Sequence, residues 1–90
     1  MRDMYHPNAY LPNIKEVKPG LKSRSKILNL LENLPQTTRK IAEGTELTYG
    51  NTLYHLRLME RFDVVERDKS NRTHIWYQTG SGQQVLNNIL

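Results

Sequence analysis

The chain has no cysteine among its 90 residues. That absence excludes disulfides, thiolate metal sites, iron–sulfur clusters and a cysteine nucleophile. Long apolar runs are also missing. The longest are short stretches such as Leu30-Leu31 and Ile75-Trp76-Tyr77, whereas a membrane-spanning helix needs about 20 apolar residues. The segment from Met1 to Pro7 carries no apolar signal-peptide core. The expectation is a cytoplasmic protein with no membrane partner. Catalytic constellations are lacking too. Ser23, Ser25, Ser70 and Ser81 lie in no nucleophile motif, and no pair of carboxylates is recognisably arranged for acid–base work. Gly80-Ser81-Gly82 echoes a phosphate-binding loop but has no Lys-Ser or Lys-Thr after it. His6, His55 and His74 share no ligand spacing. No enzyme, cofactor or metal site is expected.

What is present is basic charge. The net charge is +4, which suits a polyanionic partner such as nucleic acid. From Lys22 to Glu46, the cations Lys22, Arg24, Lys26, Arg39 and Lys40 outnumber the anions Glu32, Glu43 and Glu46. The stretch from Gly80 to Leu90 has no charge, which points to burial against something. The length allows one domain with a modest core and little room for a deep cleft.

Residues 1–20 hold Pro7, Pro12 and Pro19, together with Tyr5, Tyr10, Leu11, Ile14 and Val17. Proline disfavours helix at the preceding residue, and the apolar residues argue against a disordered tail. An arm that packs on the body or on a partner chain is expected. Lys22 to Leu34 reads as a first helix, with Ile27, Leu28, Leu30, Leu31 and Leu34 on one face. Ser23 or Ser25 would cap it, and Pro35 would end it. Thr37 to Gly44 reads as a short second helix, capped by Thr37 and stopped by Gly44 in a left-handed conformation. Leu47 would plug the turn that follows.

Thr48 to Phe62 reads as a third helix capped by Thr48. Thr52, His55, Leu56 and Met59 would face inward, and Tyr49, Asn51, Leu53, Tyr54 and Arg57 outward. Two strands follow, Val64 to Arg67 and Thr73 to Gln78, around a polar tip from Asp68 to Arg72. Trp76 is expected to pack rather than to bind a ligand. Lys22, Arg24 and Lys26 are expected to be solvated. After the break at Thr79 to Gly82, Gln83 to Leu90 would form a last helix. The fold class is α+β, mainly α.

Two helices joined by a tight turn make a helix-turn-helix, and the second helix of such a pair can enter the major groove by its N-terminal residues. Thr48-Tyr49-Gly50-Asn51-Thr52 suits that position. Gly50 weakens a helix by about 1 kcal/mol relative to Ala. Two explanations stand side by side: close approach of the backbone to phosphate or base, or close packing against the arm or the second helix.

The run from Thr37 to Glu60, with its Ile41-Ala42 and His55-Leu56-Arg57 steps, resembles the helix-turn-helix of winged-helix transcriptional regulators, in particular the ArsR-like group and its archaeal relatives. The resemblance extends over about residues 21–90 and does not account for the arm. It implies a winged helix-turn-helix of three helices, a two-stranded wing and a C-terminal helix. It implies that Thr48, Tyr49, Asn51, Tyr54 and Arg57 face the major groove, and that Lys69, Asn71 and Arg72 reach phosphates or the minor groove. Arg39 and Lys40 can hold flanking phosphates. Phe62 and Asp63 stand where such domains carry a small residue and glycine. The expected function is sequence-specific binding of double-stranded DNA by a homodimer that regulates transcription. A protein-interaction module of a transcription complex and a nonspecific architectural DNA-binding protein are the alternatives.

Overall fold

The computed structural model describes residues 5–11, 18–70 and 72–79. These form three α-helices, a 3-10 turn at Pro7–Ala9 and one antiparallel sheet. The helices are α1 (Lys18–Leu31), α2 (Thr38–Thr45) and α3 (Tyr49–Arg61). The strands are β1 (Gln36–Thr37), β2 (Val65–Asp68) and β3 (Ile75–Gln78), in the order β1-β3-β2. The segment read as a C-terminal helix lies outside the described residues.

α1 begins earlier than the periodicity suggests. Lys18, Pro19 and Gly20 already belong to it, which proline permits because first-turn N–H groups have no intrahelical partner. Ser25 therefore sits well inside the helix, where its buried hydroxyl accepts the His6 N–H at 2.8 Å, and neither Ser25 nor Ser23 stands at the helix start. The helix stops at Leu31, so Leu34 lies beyond it and is 58% exposed instead of continuing the apolar face.

α2 has the expected N-cap: Thr37 Oγ1 accepts the Lys40 N–H at 3.2 Å. Its end differs. Gly44 is helical, and Glu46 takes the left-handed conformation at φ 62°. The reason is packing. A Cβ on Gly44 would stand 2.8 Å from Leu30 Cδ2 of α1. The glycine thus serves the α1–α2 crossing, not the turn.

α3 is capped by Thr48, whose Oγ1 accepts the Asn51 N–H at 3.1 Å. It ends on Asp63, at φ 61°. The Asp63 N–H donates to Glu60 O (3.1 Å) and the Val64 N–H to Met59 O (2.9 Å). This is the paired closure usually completed by glycine. The Thr79 hydroxyl also donates to Asp63 O, tying the end of β3 to the same turn.

The core gathers Ile27, Leu28 and Leu31 of α1, Ile41 of α2, Leu56 and Met59 of α3, Val65 of β2 and Trp76 of β3. Two polar contacts lock sheet to helices. Trp76 Nε1 donates to Thr38 Oγ1 at 2.7 Å, and Gln78 Nε2 donates to Leu28 O at 3.0 Å. Period-two alternation places Trp76 and Gln78 inward. The sequence reading has two strands here; the structure adds β1, which pairs Gln36 with Trp76 and Thr37 with Ile75.

The arm residues in view pack on α1. Ala9 and Leu11 are buried. His6 Nδ1 accepts the Asn8 N–H at 3.1 Å, leaving Nε2 to meet Glu32 Oε1 at 2.7 Å. Arg24 departs from its expected solvated position. It is 3% exposed, with Nε donating to Ala9 O at 2.7 Å.

Candidate nucleic-acid interface

α3 separates its residues by face. Thr52, Leu56 and Met59 are buried because they lie within about 60° of one another on a helix of 3.6 residues per turn. Gly50, Tyr54, Arg57 and Arg61 fall on the opposite stripe, and all four are exposed. Tyr49 and Tyr54 are 56% and 62% exposed, unusual for large aromatic rings. Asn51 is exposed beside them. Thr48 is also exposed, but its hydroxyl is engaged as the cap. Leu53 is half-buried.

Next to this face runs a groove of about 570 Å³ between α3 and the wing. Arg39 reaches it from α2, Tyr49 and Arg57 from α3, and Arg67, Arg72 and His74 from the wing. Four arginines thus surround one depression. Arg39 makes a long contact to Glu43 (3.8 Å), with both side chains largely exposed. Such a pair holds its partners weakly, so Arg39 is free to turn toward an anion.

Arg67 differs from the other three. Its Nε donates to Glu60 Oε2 at 2.9 Å, and the pair is mostly buried. Its guanidinium lies 5.3 Å from the Trp76 ring centroid, a cation–π contact, and Nη1 is 3.4 Å from His74 Nδ1. Arg67 therefore joins the wing to the last turn of α3 and fixes the groove's far wall. Arg61, Arg67, Thr73 and His74 are not among the individual DNA contacts expected from the sequence, although Arg61 falls in the recognition helix expected at about 48–61 and Arg67 and Thr73 in the basic wing expected at about 67–73. Cross-strand register sets Arg67 opposite Trp76, a pairing that only the folded wing reveals.

The other expected contacts are more scattered. Lys40 is exposed on α2, by a separate apolar depression formed with Leu34, Pro35 and Ile75. Lys69 is exposed at the wing tip. Asn71 lies outside the described residues. Asp68 brings an anion to the tip. Hydrogen bonds from the Ser70 side chain and backbone hold its carboxyl below the usual value. The structure thus brings Arg39, Tyr49, Arg57 and Arg72 to one groove, with Asn51 and Tyr54 on the adjoining helix face.

His55 packs at the side of α3 rather than in the groove. Its ring meets Tyr54 edge-on at 5.1 Å. Its Nδ1 is buried without a hydrogen-bond partner among the described residues. Burial, and then the nearby Arg24 charge, lower its pKa from 6.5. Among the described residues no three His, Asp or Glu side chains gather as a metal set, and no helix is long and apolar enough to cross a membrane.

The described architecture is that of known proteins. The homodimeric winged helix-turn-helix DNA-binding domain (fragment 1–100) of a possible ArsR-family transcriptional regulator from Mycobacterium bovis superposes with a TM-score of 0.64 at 19% identity. That match covers 74% of this chain and 62% of the other. A mutant of ZitR from Lactococcus lactis superposes with a TM-score of 0.65 at 20% identity, over 74% of this chain and 48% of the other. The chain therefore spans less than two thirds of either neighbour, and at these identities the likeness shows the winged helix-turn-helix fold. No curated protein matches the chain. The family model for bacterial regulatory proteins of the arsR family matches residues 22–67. That match covers just over half of the chain, from α1 through α2 and α3 into β2, and on it the chain belongs to the arsR family of bacterial regulatory proteins.

Proposed function

We propose that the protein is a sequence-specific, double-stranded DNA-binding transcriptional regulator. α3 lies in the major groove, with Tyr49, Asn51, Tyr54 and Arg57 toward base edges. Arg39, Lys40, Lys69 and Arg72 hold the phosphates on either side. The observation that carries this reading is the convergence of Arg39, Arg57, Arg67 and Arg72 on one groove beside an exposed, polar helix face. Phosphate contacts supply affinity and register, and base-edge contacts supply sequence preference. α3 itself carries few cations toward the duplex, so affinity falls mainly to its flanks.

The protein acts as a homodimer in the cytoplasm. The Mycobacterium bovis neighbour is a homodimer, and a single domain of this size presents a small footprint. Two domains would read half-sites about 34–36 Å apart on one face of the duplex. Regulation by DNA binding, not catalysis, is its activity.

Selection of bound duplexes from a random pool tests the reading. The expected result is a short enriched sequence repeated in two symmetric half-sites. Enrichment of no sequence, with binding that is tight only at low salt, would replace regulation with nonspecific binding. Absence of duplex binding even at low salt would refute the reading. Light scattering tests the dimer, and a monomer at micromolar concentration would refute it.

A further inference from the structure

All three described glycines, Gly20, Gly44 and Gly50, lie inside helices, where glycine is a poor choice. Two are explained from within the chain. A Cβ at Gly20 would stand 3.0 Å from Arg24 Nη1, and that arginine supports the arm through Ala9 O. A Cβ at Gly44 would stand 2.8 Å from Leu30 Cδ2. In both places something of the protein occupies the space that a side chain would need.

Gly50 has no such reason. A Cβ there would meet nothing within 4 Å among the described residues, so neither α2 nor the described part of the arm packs on it. Its φ is not positive, so the backbone does not require glycine either. Yet it sits in the first turn of α3, on the same stripe as Tyr54, Arg57 and Arg61, between two tyrosines that are each more than half exposed. Helical side chains lean toward the preceding turn, so Tyr54 is the residue placed to cover Gly50. It leaves that space open, and its ring lies against His55 instead. The result is a patch of bare backbone at the N-terminal end of the outward face.

We propose that Gly50 is a contact point with duplex DNA. Its missing β-carbon lets α3 seat closer to the DNA than any other residue would allow. This inference rests on the DNA-binding reading and sharpens it. Helix stability is given up at a position where the fold gains nothing, and the gain appears on binding.

The test is Gly50→Ala in the full chain, read by thermal unfolding and by fluorescence anisotropy on a duplex recovered by selection. An added methyl in open space favours the helix, so Tm rises by a few degrees, up to about 8 °C. The same methyl overlaps the duplex and weakens binding roughly tenfold, and Gly50→Val weakens it more. Asn29→Ala, at an exposed position of α1, leaves DNA affinity within about twofold of wild type. A Gly50→Ala protein that is stabilised and binds like wild type overturns the inference and leaves the DNA-binding reading standing. A fall in Tm also overturns it, because the space would then not be open. Wild-type protein that binds no duplex overturns both.

Discussion

Replacing Trp76 with Phe tests how the wing is joined to the helices. Trp76 is 1% exposed. It donates its indole N–H to Thr38 Oγ1 at the start of α2 and lies beneath the Arg67 guanidinium. Phe keeps one aromatic ring and loses the donor. The lost hydrogen bond, with its acceptor left in a buried site, costs about 1–2 kcal/mol. The void left by the smaller ring costs about 1 kcal/mol more, and the weakened cation–π contact about 0.5 kcal/mol. Urea unfolding should therefore show a loss of about 2–4 kcal/mol, as a lower midpoint at unchanged m. The hydrogen-bond part is isolated by adding Thr38→Val. If Trp76 and Thr38 interact as described, the double variant loses about 1 kcal/mol less than the two single losses combined. Strict additivity would refute the claim that this contact ties the sheet to α2.

Arg72→Ala and Lys69→Ala should each weaken binding to all duplexes and lower the salt slope by about one, measured by anisotropy across a salt series. Asn51→Ala should instead reduce the preference for a selected site by about 1–3 kcal/mol, measured against a scrambled duplex. Glu46→Gly and Asp63→Gly should each raise stability by up to about 1 kcal/mol in urea, since both residues hold left-handed backbone that costs a non-glycine residue about that much. His55 gives a pH dependence. Its folded pKa lies below 6.5 because of burial and then Arg24. The unfolded chain therefore binds the proton more readily, and stability present above pH 6.5 is lost as pH falls toward the folded value. His55→Gln should flatten that part of the stability profile relative to wild type.

Much of the architecture was legible in the sequence. The buried stripe of α3 follows from the spacing of Thr52, Leu56 and Met59, and both threonine caps follow from local hydrogen-bond chemistry that depends on nothing distant. What was not legible depended on neighbours far along the chain. Gly44 read as a helix stop because glycine is the usual one, but the crossing with Leu30 claims it. Arg24 read as a solvated cation, but the arm supplies a carbonyl and a cover for it. β1 is two residues long and exists because β3 offers it an edge, a partner that no local pattern reveals. The same limit applies to the interface. The outward residues of α3 could be named from periodicity. Arg67 could not, since its place in the groove depends on Glu60, His74 and Trp76 together. Gly50 was ambiguous in the sequence, and the space above it, open among the described residues, decides against packing by α2 or the described part of the arm.

The central claim is that the outward face of α3 and the adjoining arginine groove meet the duplex. Titrating isotope-labelled protein with a selected duplex and following backbone amide shifts tests it directly. The expected shifts concentrate at residues 39–40, 48–57 and 67–72, with residues 21–31 of α1 little changed. Shifts concentrated on α1 and the arm, with α3 and the wing unmoved, would contradict it.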